Sequence, residues 1–380
     1  MSSNELNRKF FVCISDIHVL STDIRRGKNG PATVEQFNLG TARPAREKNM
    51  RKDPTIKPLK ALLGLVATTA ILTVPGALAA ADKFPSKNIQ VVIHSKYGGG
   101  TDTTARMMMI RSRRTLKTDM QVVSKRGGSG AKAHAYAKSR PKDGYTLLAL
   151  TQTHLYTIAR GKSVLSIDDV IGVARAMDDP TFITVSGKGK YKTLADLVSA
   201  SKKKPLNWGV AQIGGTEHIG LATFAKAAGI KFKVIPFGSG AQMIHALQSG
   251  SIVATLPNVS EAGEEVRDGR FRALAVMAKK RLKDFPNVPT TYENGYKVAT
   301  STTRGYWVLK GTPMDRVKKL SKGLVKAMKH KVFANYLKSA GLSVEESVAG
   351  HEVWTKQIRE EYKSARAALK ELGLLKKKKK

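Results

Sequence analysis

Four short turns in this sequence carry the same chemistry. Residues 98–102 (Gly-Gly-Gly-Thr-Asp), 127–131 (Gly-Gly-Ser-Gly-Ala), 214–218 (Gly-Gly-Thr-Glu-His) and 238–241 (Gly-Ser-Gly-Ala) each lead from a strand-like run into a helical pattern. The first turn of a helix leaves backbone N–H groups unpaired, and the aligned peptide dipoles make that end positive. Glycine lets a ligand approach the backbone closely. In open α/β sheets such turns gather at the carboxyl ends of the strands, where ligands bind. Several of them around one crevice would hold an anion. One glycine turn is ordinary punctuation; four, two in each half of the chain, point to an anion site. The residues expected to face it are Gly99, Gly100, Thr101, Asp102, Ser129, Gly215, Thr216 and Ser239. Thr153 with His154, and His218, follow small polar turns and join the candidates.

Catalytic chemistry lacks comparable support. Gly161-Lys162-Ser163 resembles the end of a phosphate-binding loop, but Tyr156 stands where that loop needs its first glycine. Gly127-Gly128-Ser129-Gly130-Ala131 approaches a nucleophile elbow and ends on Ala131 where glycine is required. The histidines have no metalloprotease spacing, and no nucleophile is paired with a base. No catalytic residue, metal site or cofactor is therefore expected.

Strands must alternate with helices to position these turns. Ile89–Ile93, Met120–Val123, Tyr145–Leu150, Phe182–Val185, Leu206–Val210, Phe232–Pro236 and Ile252–Leu256 read as short buried strands. Helical patterns follow most of them, the first beginning near Thr103 with Thr101 or Asp102 as its cap. Such βαβ grammar predicts α/β folding around mainly parallel sheets. From Met314 onward the chain reads as mostly helical, with Trp354, Ile358 and Tyr362 as a core stripe.

The 380 residues suffice for two ordinary domains. The net charge of +37 is large and points to nucleic acid, membrane headgroups or anionic ligands. Residues 50–81 combine a basic start, a 14-residue apolar run (Ala61 to Val74) and an Ala77-Leu78-Ala79 end, the three parts of a secretory signal peptide. Met50 then becomes the expected start, and residues 1–49 a non-native upstream extension. The sole cysteine, Cys13, falls in that extension. Residues 1–49 and 50–81 carry +3 each, which leaves +31 on the rest. The leader does not explain the charge. No zinc module or RNA-reading aromatic motif accompanies it, so nucleic acid is not the expected partner.

An ordered set of motifs carries a resemblance. Phe84-Pro85-Ser86-Lys87 precedes the first strand, and Gly98 to Asp102 continues into Ala105-Arg106. The sequence continues through Asp143-Gly144-Tyr145, Leu206-Asn207-Trp208-Gly209, Pro236 to Ala241, Leu256-Pro257-Asn258, Arg272 to Val276, Phe285 to Thr290 and Gly311-Thr312-Pro313. Over roughly residues 84–370 the chain resembles the solute-binding receptors of tripartite tricarboxylate transporters, the Bug family. The resemblance implies a two-lobed periplasmic-binding-protein type II fold. One lobe would hold residues 82–182 and 300–380, the other 183–299. It implies a non-enzymatic, periplasmic receptor that closes on a small carboxylate and delivers it to integral membrane transporter subunits, and it adds Asn258 to the ligand residues.

Two departures stand out. His94-Ser95-Lys96-Tyr97 replaces the family's usual apolar, proline-containing loop, so His94 and Lys96 become possible extra ligand residues. Val253 stands where many relatives carry aspartate. Lys96 is expected to add charge to the helix N-terminus that follows. The charge keeps an alternative open: a basic, envelope-associated protein that binds polyanions or lipid with the same fold and does not transport. A hydrolase using Ser129 ranks third.

Overall fold

The computed structural model describes residues 83–375. The proposed leader, the upstream extension, Cys13 and the lysine tail lie outside the described residues. Ten strands form two five-stranded sheets of the same design. The first has the order β2-β1-β3-β10-β4: β1 is Ile89–Ile93, β2 Met120–Ser124, β3 Thr146–Leu150, β4 Val170–Pro180 and β10 Ser301–Leu309. The second has the order β7-β6-β8-β5-β9: β5 is Phe182–Ser186, β6 Leu206–Val210, β7 Phe232–Pro236, β8 Ala254–Thr255 and β9 Phe271–Val276. In each sheet four strands run one way. A single strand, β10 or β5, runs against its two neighbours. The sheets are mixed in pairing and mainly parallel in direction, with helices packed around them.

The chain crosses between the sheets twice. One crossing is a single step from Pro180 to Phe182, and the other joins β9 to β10. Asn258 pins the short crossing. Its Nδ2 donates to the Asp179 carbonyl at 2.9 Å and lies 3.1 Å from Thr181 Oγ1. Beside it Arg304 is ion-paired with Asp179, both fully enclosed, and Arg304 Nη2 donates to Asn258 Oδ1 at 2.9 Å. Burial pushes the Asp179 carboxyl up while Arg304 opposes it. Burial alone would lower Arg304, but Asp179 and Glu261 more than reverse that. The pair holds both strands of the first sheet to the loop that starts a helix of the second.

Sequence patterns place the early strands well and miss β4, β9 and β10. β4 and β10 are central or long strands interrupted by Arg175, Asp178 and Asp179, or by Arg304-Gly305, residues that break an apolar pattern. Ile252–Leu256 shortens to the two residues of β8. The last helix, His351–Glu371, seats Trp354 against glycines of β4 and β10. A Cβ on Gly305 would stand 2.5 Å from the Trp354 ring, and one on Gly172 2.8 Å from it. Trp354 Nε1 donates to the Tyr306 carbonyl at 3.2 Å. Trp354 and Ile358 are fully buried, so the stripe is core, as expected.

Candidate functional site

The helices are named here in chain order: α1 Gly100–Leu116, α2 Ala131–Lys138, α3 Gln152–Ala159, α4 Leu194–Lys203, α5 Thr216–Ala228, α6 Gly240–Gln248 and α7 Val259–Arg267. α4 closes its own N-terminus with a capping box, Thr193 Oγ1 accepting from Asp196 N at 3.1 Å. α1, α3, α5 and α6 begin at Gly99, Thr151, Gly215 and Ser239, and none of these caps its helix through a side chain. All four residues or their neighbours face one crevice between the sheets. Side chains from other elements take the first N–H of α1 (Glu261) and of α5 (Thr153); first-turn N–H groups left uncapped are available to a partner.

Two adjoining spaces occupy the crevice, sharing His94 and Gln212 in their walls. The inner recess measures about 30 Å³, on the order of one water. It lies among Gly99, Gly100, Thr153, Thr216, Ser239 and Arg304. The loops touch across it: Lys96 N donates to the Gly238 carbonyl at 3.0 Å, and the Thr153 and Thr216 hydroxyls are 3.1 Å apart. A protein carboxylate already holds its anion position. Gly100 N donates to Glu261 Oε1 at 2.8 Å, and Arg304 Nη2 lies 3.9 Å from the same oxygen. Glu217 is a second carboxylate in the wall. Burial pushes it up to about 7, and Glu261 adds to the shift. Ser95 Oγ, Thr151 Oγ1 and Gln212 Oε1 are sealed in without a protein partner. The recess is thus polar and acid-rich.

The outer chamber measures about 560 Å³, within the range of small-molecule sites. Arg126 to Ser129, Arg160 and Lys162 line it from the first sheet's side, and Gln212, Ile213 and Pro236 to Gly238 from the second's. Among the described residues three cations face it and no carboxylate does. Arg160 is half-buried, and its Nε is sealed in without a partner. Its guanidinium lies against Gly214 of the opposite loop, where a Cβ would stand 1.9 Å from Nη1. Burial draws Arg160 below its ordinary value. Ser129, in the left-handed region at φ 53°, donates from Oγ to the Ile213 carbonyl at 2.7 Å and so ties the glycine loop to the second sheet.

Behind the chamber wall three imidazoles form a chain. Ser163 Oγ is 2.7 Å from His134 Nδ1, His134 Nε2 is 2.6 Å from His154 Nδ1, and His154 Nε2 is 3.1 Å from His94 Nδ1. Burial depresses all three, His94 to about 3 and His134 to about 4, so the chain is neutral at pH 7. Among the described residues no cluster of histidine, cysteine or acidic side chains is placed to hold a metal.

The family model described as "Tripartite tricarboxylate transporter family receptor" matches residues 105–374. The chain belongs to this family of solute-binding receptors. Protein BugT of Bordetella pertussis is 31% identical over 252 residues, covering 63% of this chain and 74% of BugT. A solute-binding protein of the family from Polaromonas matches in structure with a TM-score of 0.58 and 27% identity, over 76% of this chain and 99% of that one. MatC of Rhodopseudomonas palustris, solved with bound malate, shares the fold with a TM-score of 0.70 at 23% identity, over 75% of this chain and all of that one. Members of the family are periplasmic binding proteins.

In this receptor the predicted residues divide. Gly99, Gly100, Thr101, Thr153, Thr216 and Ser239 line the recess, Ser129 the chamber, and His94 both. Gly215 starts α5 beside Thr153 Oγ1. Four candidates are engaged elsewhere. Asp102 neither caps α1 nor lines either space; its carboxylate accepts from Gly98 N at 2.8 Å and from Arg106. Gly99 is the N-cap in place of Thr101 or Asp102, because the triple glycine enters the helix earlier than the side chains suggest. His218 Nδ1 accepts from Gly214 N at 2.7 Å, bracing its own turn. Asn258 holds the crossing, and His154 sits wholly inside the imidazole chain. Lys96 lays its stem along Gly238. Sequence reading missed Arg160, Glu217, Glu261, Arg304 and His134. Arg126 and Lys162 were visible in principle, since one precedes the Gly127 loop and the other follows Gly161. The rest are joined only by the fold.

Proposed function

We propose that this chain is an exported receptor that captures a small organic anion, a carboxylate, in the crevice between its lobes and delivers it to a tripartite tricarboxylate-type membrane transporter. The observation that carries the reading is the outer chamber, with three cations, the Gly127–Gly130 loop and no acid in its wall. An anion there gains charge-assisted hydrogen bonds in a partly dry site, where they are stronger than at an open surface. The N-termini of α3 and α6, which have no side-chain cap, support the same charge preference. Family membership supports export and hand-over, as does the leader-like segment at residues 50–81. Of the expected residues, Ser129 and His94 would meet the anion in the chamber, joined by Arg160, while Gly99, Gly100, Thr101, Thr153, Thr216 and Ser239 line the adjoining recess.

A panel of organic acids that includes malate tests this by thermal unfolding. A ligand that binds the folded state raises Tm by mass action, by an amount that grows with concentration. At least one acid is expected to do so, with binding weakened tenfold or more by Arg160→Met. If none of the panel shifts Tm, while anionic vesicles or DNA bind at physiological salt, the receptor reading fails and a polyanion-binding role replaces it.

A further inference from the structure

A neutral imidazole carries one N–H and one lone pair. In a chain of neutral imidazoles joined nitrogen to nitrogen, every ring must therefore take the same tautomer. The run Ser163–His134–His154–His94 allows two arrangements. In the first, Ser163 O–H donates to His134 Nδ1, each ring donates from Nε2 to the next, and His94 turns an Nε2–H toward the crevice. In the second the sense reverses, and His94 turns a lone pair toward the crevice. His94 Nε2 is the ring nitrogen left over, with no protein partner among the described residues, on a residue that lines both spaces.

The far end favours the first. Ser163 Oγ already accepts from Leu165 N at 2.9 Å. That hydrogen bond occupies one lone pair and leaves the other lone pair and the O–H to serve His134 Nδ1. The first arrangement gives the hydroxyl hydrogen an acceptor within the protein; the second leaves it to solvent. We propose that Ser163, through His134 and His154, fixes His94 as a neutral hydrogen-bond donor facing the ligand crevice. Ser163, His134 and His154 are positioning residues in this scheme, and His94 alone meets the ligand. The consequence is selectivity without charge. A carboxylate oxygen at His94 finds an N–H, while a ligand presenting only a donor there finds no acceptor. Other groups around the chain do not compete for the Nε2 proton of His94. Trp307 packs edge-on against His134 and His154, the Ala149 carbonyl accepts a hydrogen bond from the His154 ring, and Arg304 acts on His94 as a positive charge. The inference rests on the ligand reading for its consequence, but its central claim concerns the free protein.

Ser163 is only half-buried, so its variants should fold. In ¹⁵N-histidine NMR spectra of the free protein at pH 7, His94, His134 and His154 are expected to be protonated at Nε2 alone. Ser163→Ala should convert them to a mixture of tautomers, and Ser163→Thr, which keeps the hydroxyl, should restore the single form. With malate as the probe, Ser163→Ala should weaken binding about threefold to tenfold, the range expected for one neutral hydrogen bond. Nδ1–H on His94 in the free protein, or spectra unchanged by Ser163→Ala, would overturn the proposal. Failure of malate and every other acid to bind would sink the receptor reading instead, and the spectra would still judge the relay.

Discussion

The outer chamber and the inner recess are neighbours with opposite electrostatics. The chamber presents Arg126, Arg160 and Lys162 with no acid, whereas the recess holds Glu261 and Glu217 beside a single arginine already paired with Asp179. Both are built from the same strand–glycine–helix turns. Helix N-termini alone therefore do not say where an anion goes. The side chains brought in from other elements decide it, and in the recess a resident carboxylate already takes the α1 N–H that a ligand would use.

The comparison can be broken most severely at Arg304. Removing one partner of an enclosed ion pair leaves an uncompensated charge, so Arg304→Met is expected to cost about 3–5 kcal/mol in urea unfolding. Arg304→Met with Asp179→Leu should recover much of that loss; a double variant no better than the single would show that the pair is not what joins the lobes.

Acid should act next. Burial holds His94 near 3 and His134 near 4 in the folded state, against 6.5 when unfolded. Below pH 6.5 the unfolded chain takes up protons that the folded chain refuses. Their contribution is complete above pH 6.5 and is lost as pH falls toward 4 and 3, at roughly 2.5 kcal/mol per imidazole by pH 4.5. Glu217 runs the other way: raised to about 7, it favours the folded state below pH 4.5 and loses that contribution as pH rises to 7. Denaturation at pH 4.5 and 7.5 should show the histidine loss diminished in His134→Phe and the opposing slope absent in Glu217→Gln.

Ligand affinity sharpens the contrast further. Arg160→Met should weaken anion binding about tenfold or more, roughly 1.4 kcal/mol, whereas Lys162→Met, at an exposed wall, should change it less than threefold by titration calorimetry. The smallest effect is expected at Glu261→Gln. With the resident charge gone, the recess should accept an anion about threefold more tightly. Weaker binding would mean that Glu261 helps to close the site instead of guarding it.

Much of this was legible in the sequence. Short β-branched runs bounded by glycine gave most strands of both sheets, because a buried parallel strand needs little more than local pattern. β4, β9 and β10 were hidden; in β4 and β10, Asp179, Arg304 and Gly305 sit for tertiary reasons, an enclosed ion pair at the crossing between the lobes and a seat for Trp354. The glycine turns were found, yet Asp102, His154, His218 and Asn258 turned away from the ligand spaces. A polar residue after a turn has as many backbone groups to satisfy as ligands to meet, and local hydrogen bonding won.

The sequence by itself determined the alternation of strand and helix, the glycine turns and the family to which the chain belongs. These depend on neighbours within a few residues or on an ordered set of motifs. Only the tertiary structure decided which turns meet, that Glu261 occupies the α1 N-terminus across 161 positions of chain, and that Ser163 stands at the end of three imidazoles leading to His94. Charge and hydrogen bonding act through space within a few ångströms, and chain order carries no record of those distances until the lobes have packed.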